Sequence, residues 1–129
     1  MRPWRAVAAA LALVGVTPAL VAGGSLSAEI DGVRVDLSSE PEQPGTARAT
    51  DYRVRLSSSD GSGVTGAKVT LQGRMADGMT VVAPLRAVSN PGVYSGRVLF
   101  TMEGRWDLTL RVARESKRFE LPLIEHVGR

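Results

Sequence analysis

The chain has 129 residues and no cysteine, with 16 Lys and Arg residues against 13 Asp and Glu residues, for a formal net charge of +3. The lack of cysteine excludes disulfides, a lipoprotein anchor on cysteine and thiol catalysis. No run of basic residues is interleaved with aromatic ones, so we do not expect nucleic acid as a partner.

The N-terminus has the composition of a secretory signal peptide. Arg2 and Arg5 precede an almost uncharged apolar run over residues 6–22, and small residues follow it. We expect residues 1–22 to be a signal peptide. The alternative is an uncleaved membrane anchor formed by residues 6–22, since a run of about 17 residues lies at the lower limit for spanning a bilayer. In both cases the rest of the chain is extracytoplasmic, either periplasmic or secreted, and possible membrane anchoring is confined to this segment.

The charge balance changes when the signal segment is set aside. Arg2 and Arg5 belong to that segment, which leaves 14 basic residues against 13 acidic ones in the rest of the chain. The mature protein is therefore almost neutral, and its basicity does not by itself point to a polyanionic partner.

Short segments in which apolar and polar residues alternate follow the signal, and this period of two is typical of half-buried strands. Residues 38–46 contain Pro41 and Pro44 and are predicted to be an exposed connection. The predicted strands, in chain order, are residues 30–37 with Gly32 as a bulge, residues 52–56, residues 67–71, residues 81–88 as an edge strand because of Pro84, and residues 119–123.

The clearest alternation lies in residues 92–112. Every second residue in two successive runs is apolar or Gly, with one exception at Leu99, and Gly104 lies where the chain would reverse. We therefore predict an antiparallel hairpin, with Met102 and Trp106 on its inward face.

About seven short strands without helical periodicity predict an all-β fold. We expect an immunoglobulin-like antiparallel β-sandwich of about seven strands, formed by one domain over residues 28–125. A boundary inside so small a unit would leave neither half a core.

Two segments carry a recognisable pattern of turn and core residues: Asn-Pro-Gly-Val-Tyr at residues 90–94 and Phe-Thr-Met-Glu-Gly-Arg-Trp-Asp-Leu at residues 100–108. Both resemble the YtkA-like domain, which also occurs in FixH-like proteins. Residues 60–69 resemble the loop into the third strand of the same family. The resemblance covers nearly all of the chain after residue 30 and implies the same sandwich. FixH-like relatives are associated with copper supply to respiratory oxidase assembly, so the resemblance also implies copper handling as a candidate function.

Met75 and Met79 are the candidate metal ligands. They lie in a polar, Gly-containing loop, and thioethers are soft ligands that select copper(I). Met102 or His126, the only histidine, could complete such a site. The alternative is that the methionines are packing residues, and that His126 is solvated in a mobile tail. We favour packing and therefore expect no cofactor, and copper is the candidate if the methionines do bind a metal.

No residue pattern predicts catalysis. The single histidine has no nucleophile elbow to serve, and the acidic residues alternate with inward positions as on a solvated face. The Gly-x-Gly-x-x-Gly motif at residues 61–66 precedes a strand pattern rather than a helix, which predicts a loop and no dinucleotide site. We therefore expect no enzyme.

The outward positions of the predicted strands are rich in arginine. Arg53, Arg55, Arg97 and Arg111 either give one sheet a cationic face for an acidic partner or only keep the sheet soluble. The sequence thus predicts a non-enzymatic interaction or accessory module that binds another protein of the cell envelope. The alternative is a copper-handling envelope protein.

Overall fold

The computed structural model describes residues 20, 21 and 24–129, and every regular element among them is a strand. No helix in this part of the chain is long and apolar enough to cross a membrane. The predicted signal or anchor segment lies outside the described residues, apart from Leu20 and Val21. The strands are β1 (Leu20–Val21), β2 (Ser25–Ile30), β3 (Val33–Glu40), β4 (Thr50–Ser57), β5 (Lys68–Arg74), β6 (Thr80–Ala87), β7 (Val93–Val98), β8 (Gly104–Arg114) and β9 (Lys117–Val127).

The strands form two sheets that are joined through β6. Their hydrogen-bonded order is β1-β9-β8-β5-β6-β7-β4-β3-β2. The first part of β6, Thr80 to Leu85, pairs with β5, whereas Arg86 and Ala87 pair with β7. We call the two halves the β5–β8–β9 sheet and the β3–β4–β7 sheet. All pairs are antiparallel except the short pair of β1 with β9. This confirms the predicted immunoglobulin-like antiparallel sandwich.

The core lies between the two sheets, where the inward residues of each strand meet. Alternation along the strands places one apolar side chain in two on this inner face and the polar ones outside. The residues at 0–2% exposure are Val35, Leu37, Tyr52, Val54, Leu56, Val69, Leu71, Tyr94, Val98, Phe100, Trp106, Leu108, Leu110 and Leu123 among the apolar ones.

The predicted hairpin over residues 92–112 is wrong in its pairing. Strand β7 pairs with β4 and β6, whereas β8 pairs with β5 and β9, so the two alternating runs lie in different sheets. Residues 99–103 cross from one sheet to the other. Phe100, in this connection, is 1% exposed, and its ring centroid lies 5.3 Å from that of Trp106. Burying this aromatic pair between the sheets stabilises a crossing that alternation alone cannot distinguish from a hairpin.

Two predicted side-chain positions near this crossing have different outcomes. Trp106 is 0% exposed, as predicted, but Met102 is 42% exposed. The prediction for Met102 is wrong because β7 ends at Val98, so Met102 lies in the connection and not on a strand face.

The predicted opening strand is two strands. Asp31 and Gly32 both have positive φ, 52° and 80°, and Ile30 pairs with Val33 across them. This is a two-residue hairpin turn, in which Asp-Gly is a favoured pair. Gly32 is therefore a turn residue rather than a bulge.

The C-terminal strand is longer than predicted. Strand β9 runs to Val127, and Arg105 pairs with His126 in register, so His126 lies on a strand and not in a mobile tail. The predicted edge character of residues 81–88 holds only in part, because the end of β6 joins β7.

Candidate functional site: the methionine end

A tight turn between β5 and β6 places Met75 and Met79 directly opposite each other. The Met75 N–H donates to the Met79 carbonyl at 2.8 Å, and the Gly78 N–H donates to the Met75 carbonyl at 3.0 Å. Gly78 has a φ of 99°, which glycine adopts without strain. The Asp77 carboxylate accepts a bond of 3.0 Å from the Met79 N–H and holds the turn closed. Opposed residues of an antiparallel pair project to the same side.

That side is the inner one. Val69, Leu71 and Gly73 face the core along β5, so the alternation brings Met75 to the same face. A Cβ built on Gly104 would lie 3.0 Å from the Met75 methyl carbon, which shows that this methyl contacts the start of β8. Met75 is half-buried against the core, and Met79 is 37% exposed. Met75 therefore packs at the edge of the core, and Met79 lies exposed opposite it.

The connection between β7 and β8 lies at the same end. Its side chains Leu99 and Met102 are 56% and 42% exposed. The buried Trp106 holds this connection in place, because its indole Nε1 donates a hydrogen bond of 3.0 Å to the Met102 carbonyl. Every methionine of the chain except Met1 thus lies in one of two loops at this end. We call the set Met75, Met79, Leu99 and Met102 the methionine end.

His126 does not lie on the same side of its sheet as the methionine pair. Trp106 pairs with Glu125, and both side chains are buried, so the next residue, His126, points to the outer face and is exposed. Its carbonyl accepts a bond of 2.6 Å from the Gln43 side chain. In residues 24–129, no group of three or more His, Cys, Asp or Glu side chains could hold a metal ion. Of the predicted ligands, Met75 and Met79 lie opposite each other across one turn, Met102 lies in the connection between β7 and β8, and His126 lies on the outer face.

A buried polar pair lies below the methionine end and was missed from the sequence. The Tyr52 hydroxyl donates to Glu125 Oε1 at 2.9 Å, and both residues are 1% exposed. Burial raises the pKa of Glu125, and the bond from Tyr52 opposes this rise only in part. Burial, together with the nearby carboxylate, also raises the pKa of Tyr52. The alternation of Phe119, Leu121 and Leu123 continues to residue 125 and is the signal that places Glu125 inside.

The predicted arginine face is divided between the two sheets. Arg53, Arg55 and Arg97 lie on the outside of the β3–β4–β7 sheet, but Arg111 lies on the outside of the other sheet. There Arg111 pairs with Glu120 at 3.0 Å. A single face that includes Arg111 is therefore wrong, because β8 belongs to the sheet opposite β7.

The glycine-rich segment at residues 61–66 is a loop fastened at both ends. The Tyr94 hydroxyl donates to the Val64 carbonyl at 2.8 Å and accepts from the Ala67 N–H at 3.1 Å. The Asp60 carboxylate accepts bonds from the hydroxyls of Ser58 and Ser62, which lower its pKa. Strand β5 follows this loop, so the segment does not open a helix.

Comparison with known proteins identifies one family. The family model described as YtkA-like matches residues 27–111, a range that runs from β2 into β8 and includes both loops of the methionine end. No curated protein matches the chain.

Proposed function

Because the chain belongs to the YtkA-like family, we propose that it is a non-enzymatic, extracytoplasmic interaction module that binds another protein of the cell envelope through its methionine end. The exposure of large apolar side chains is the observation that best supports this function. Four large apolar side chains are exposed among the described residues, and three of them, Met79, Leu99 and Met102, lie at this end. Clustered apolar exposure is typical of a binding surface.

The chemistry of the methionine end fits a protein contact. Methionine side chains are unbranched and polarizable, so they adapt to the shape of a partner. Loops held on a rigid sandwich are common binding elements. Here the Trp106 indole and the turn hydrogen bonds of Met75 and Met79 fix the two loops while their side chains stay accessible.

Site-specific crosslinking in the native host tests the proposal. A photo-crosslinking phenylalanine derivative placed at Leu99 should give one discrete adduct with an envelope protein. The Met79→Ser/Met102→Ser background should abolish that adduct. The same derivative at Val82, which is 59% exposed on β6, is the matched control and should give none. Equal adducts from both positions, or none from Leu99, would contradict the proposal.

The extracytoplasmic location rests on the composition of residues 1–22. Protein purified from its own host should lack these residues, because a basic start, an apolar run and a small-residue exit favour cleavage by signal peptidase. Intact-mass measurement decides this. Retention of Met1 would instead indicate an uncleaved anchor.

Copper(I) handling is the second candidate function. The observation that favours it is the juxtaposition of Met75 and Met79 across one turn, on the same side of the sheet, with Met102 in the neighbouring loop. Copper(I) needs two or three soft ligands that converge. Two thioethers without an imidazole or thiolate on the same side are a weak set, which is why the protein contact is the leading proposal.

Titration with copper(I) under reducing conditions separates the two candidates. The Met75→Leu/Met79→Leu variant should keep the fold, since Leu and Met have similar volumes. If the protein-contact proposal is correct, the wild type should show no saturable copper(I) binding. Saturation at one ion per chain that is lost in the double variant, but kept in the control Val82→Leu, would instead establish the copper function.

A further inference from the structure

A row of arginine and serine side chains runs across the outside of the β3–β4–β7 sheet. Each member is directly opposite the next in the strand register, from Ser25 on β2 to Arg86 on β6. Directly opposed residues of antiparallel strands lie on the same face. The arginine–serine row consists of Ser25, Ser38, Arg53, Ser95 and Arg86, in this spatial order.

The row contains no carboxylate, and each acid beside it has an arginine partner. For Glu40, two residues after Ser38 on β3, the partner is Arg48 at 3.9 Å. Asp51, two residues before Arg53 on β4, accepts a bond of 2.9 Å from Arg97. On the other side of the row, Asp36 is held by Arg34 at 3.1 Å. Partial burial raises the pKa of Asp36, but hydrogen bonds from Ser27 and Arg34 and the positive charges of Arg34 and Arg55 outweigh it and lower that pKa, which keeps the acid charged.

Arg53 and Arg86 remain uncompensated. Neither has a carboxylate within 4.0 Å among residues 24–129, and both are exposed. Ser95 lies between them, and Ser38 lies on the far side of Arg53. The row thus offers two arginines on strands that lie two strand spacings apart, about 10 Å between their backbones, with serine hydroxyl donors beside them.

The chemistry of the row fits carboxylates of a protein. The cationic residues on this face are arginines, whose planar fork donates two parallel N–H bonds to one carboxylate. Serine hydroxyls add donors for the second oxygen. The exposed large apolar side chains of the described chain, Met79, Val82, Leu99 and Met102, do not belong to the row. Binding to a lipid surface normally uses inserted apolar residues, so a membrane is disfavoured.

We propose that the arginine–serine row binds an extended acidic segment of a partner protein, with Asp or Glu carboxylates of that segment pairing with Arg53 and Arg86. This surface is separate from the methionine end and adds a charge-specific contact to it. An extended segment that crosses the sheet can present carboxylates at the spacing of the two arginines.

Binding to poly-L-glutamate tests the proposal with the mature chain. The wild type should bind in low salt, and Arg53→Gln/Arg86→Gln should weaken binding by about tenfold or more, since both bidentate contacts are lost. The matched control is Lys117→Gln/Arg118→Gln, which removes the same charge from the other sheet and should change affinity by less than about twofold. Urea unfolding verifies that both variants fold.

The other outcomes overturn the proposal. An equal loss of affinity for poly-L-glutamate in the two variants would mean that binding depends only on net charge. Failure of the wild type to bind poly-L-glutamate would remove the acidic-segment partner. Binding to phosphatidylglycerol vesicles without binding to the peptide would replace that partner with a membrane surface. None of these results affects crosslinking from Leu99, so the arginine–serine row and the methionine-end contact can each be contradicted independently of the other.

Discussion

The Tyr52 hydroxyl donates a 2.9 Å hydrogen bond to Glu125 Oε1 across the space between the two sheets. Tyr52 lies on β4 and Glu125 on β9, so this bond is a polar link between the two sheets within the core. Nearby on β4, Thr50 is 0% exposed, and its hydroxyl has no partner among the described residues. Because the Glu125 carboxyl is buried, the stability of the domain depends on whether this group is protonated.

Glu125→Gln should remove a pH dependence of the free energy of unfolding. Burial raises the folded-state pKa of Glu125, so the folded state holds this proton more tightly than the unfolded one. Its contribution is fully present below the unfolded pKa, at about 4.3, and is lost as pH rises through the folded pKa. The wild type should therefore lose stability relative to the variant with rising pH.

Urea unfolding over a pH series measures this difference. The control Glu120→Gln, on the outer face of the same strand, should shift the free energy of unfolding by less than about 1 kcal/mol throughout. A difference between wild type and Glu125→Gln that grows in favour of the wild type as pH rises would contradict the assignment.

Tyr52→Phe should destabilise the domain by about 1–3 kcal/mol at neutral pH, because it leaves the Glu125 carboxyl buried without its donor. The cost should be smaller when Glu125→Gln is already present. A double-mutant cycle from urea unfolding gives the coupling energy directly. Additive effects would mean that the two groups do not interact in solution.

Trp106→Ala should cost about 3–5 kcal/mol, since a fully buried aromatic leaves a cavity that a small sandwich cannot refill. The substitution also removes the contact with Phe100 and the bond to the Met102 carbonyl. Val82→Ala, at an exposed site, should change stability by less than about 0.5 kcal/mol. A loss below about 1 kcal/mol for Trp106→Ala would overturn the register of β8.

Gly96→Ala should destabilise the domain by about 1–3 kcal/mol through overpacking. A Cβ at this position would lie 2.5 Å from the Pro84 carbonyl oxygen and 2.6 Å from a methyl of Leu85, so β6 would have to shift. Gly128→Ala is the control, because a Cβ there meets nothing within 4 Å. Thermal unfolding compares the Gly96→Ala and Gly128→Ala variants. Equal melting temperatures would show that β6 and β7 pack less closely in solution than in the structure.

Alternation in the sequence predicts most strands but not their partners. Strands β4, β5, β7, β8 and β9 each follow a period of two that is visible in the sequence. The pairing of β7 with β8 was predicted wrongly, since a chain that crosses between sheets has the same pattern as a hairpin. Whether the chain forms a hairpin or crosses to the other sheet depends on Phe100. Its burial against Trp106 is a tertiary contact, which the alternation of residues along a strand does not reveal.

The candidate site could be predicted in part. The Gly-containing loop of Met75 and Met79 is recognisable, and its geometry follows from the Asp77 and Gly78 turn. The exposure of Met102 could not be predicted, because it depends on where β7 ends. Glu125 was missed because an acidic residue near the C-terminus resembles a solvated one, although the period of β9 places it inside.

Strand β6 has a consequence for the cooperativity of unfolding. Since Thr80 to Leu85 belong to one sheet and Arg86 and Ala87 to the other, neither sheet can detach without breaking hydrogen bonds of this strand. We therefore expect amide hydrogen exchange in β5 and β4 to require the same global opening, with equal free energies, and a lower value in one of them would reveal a separately unfolding half.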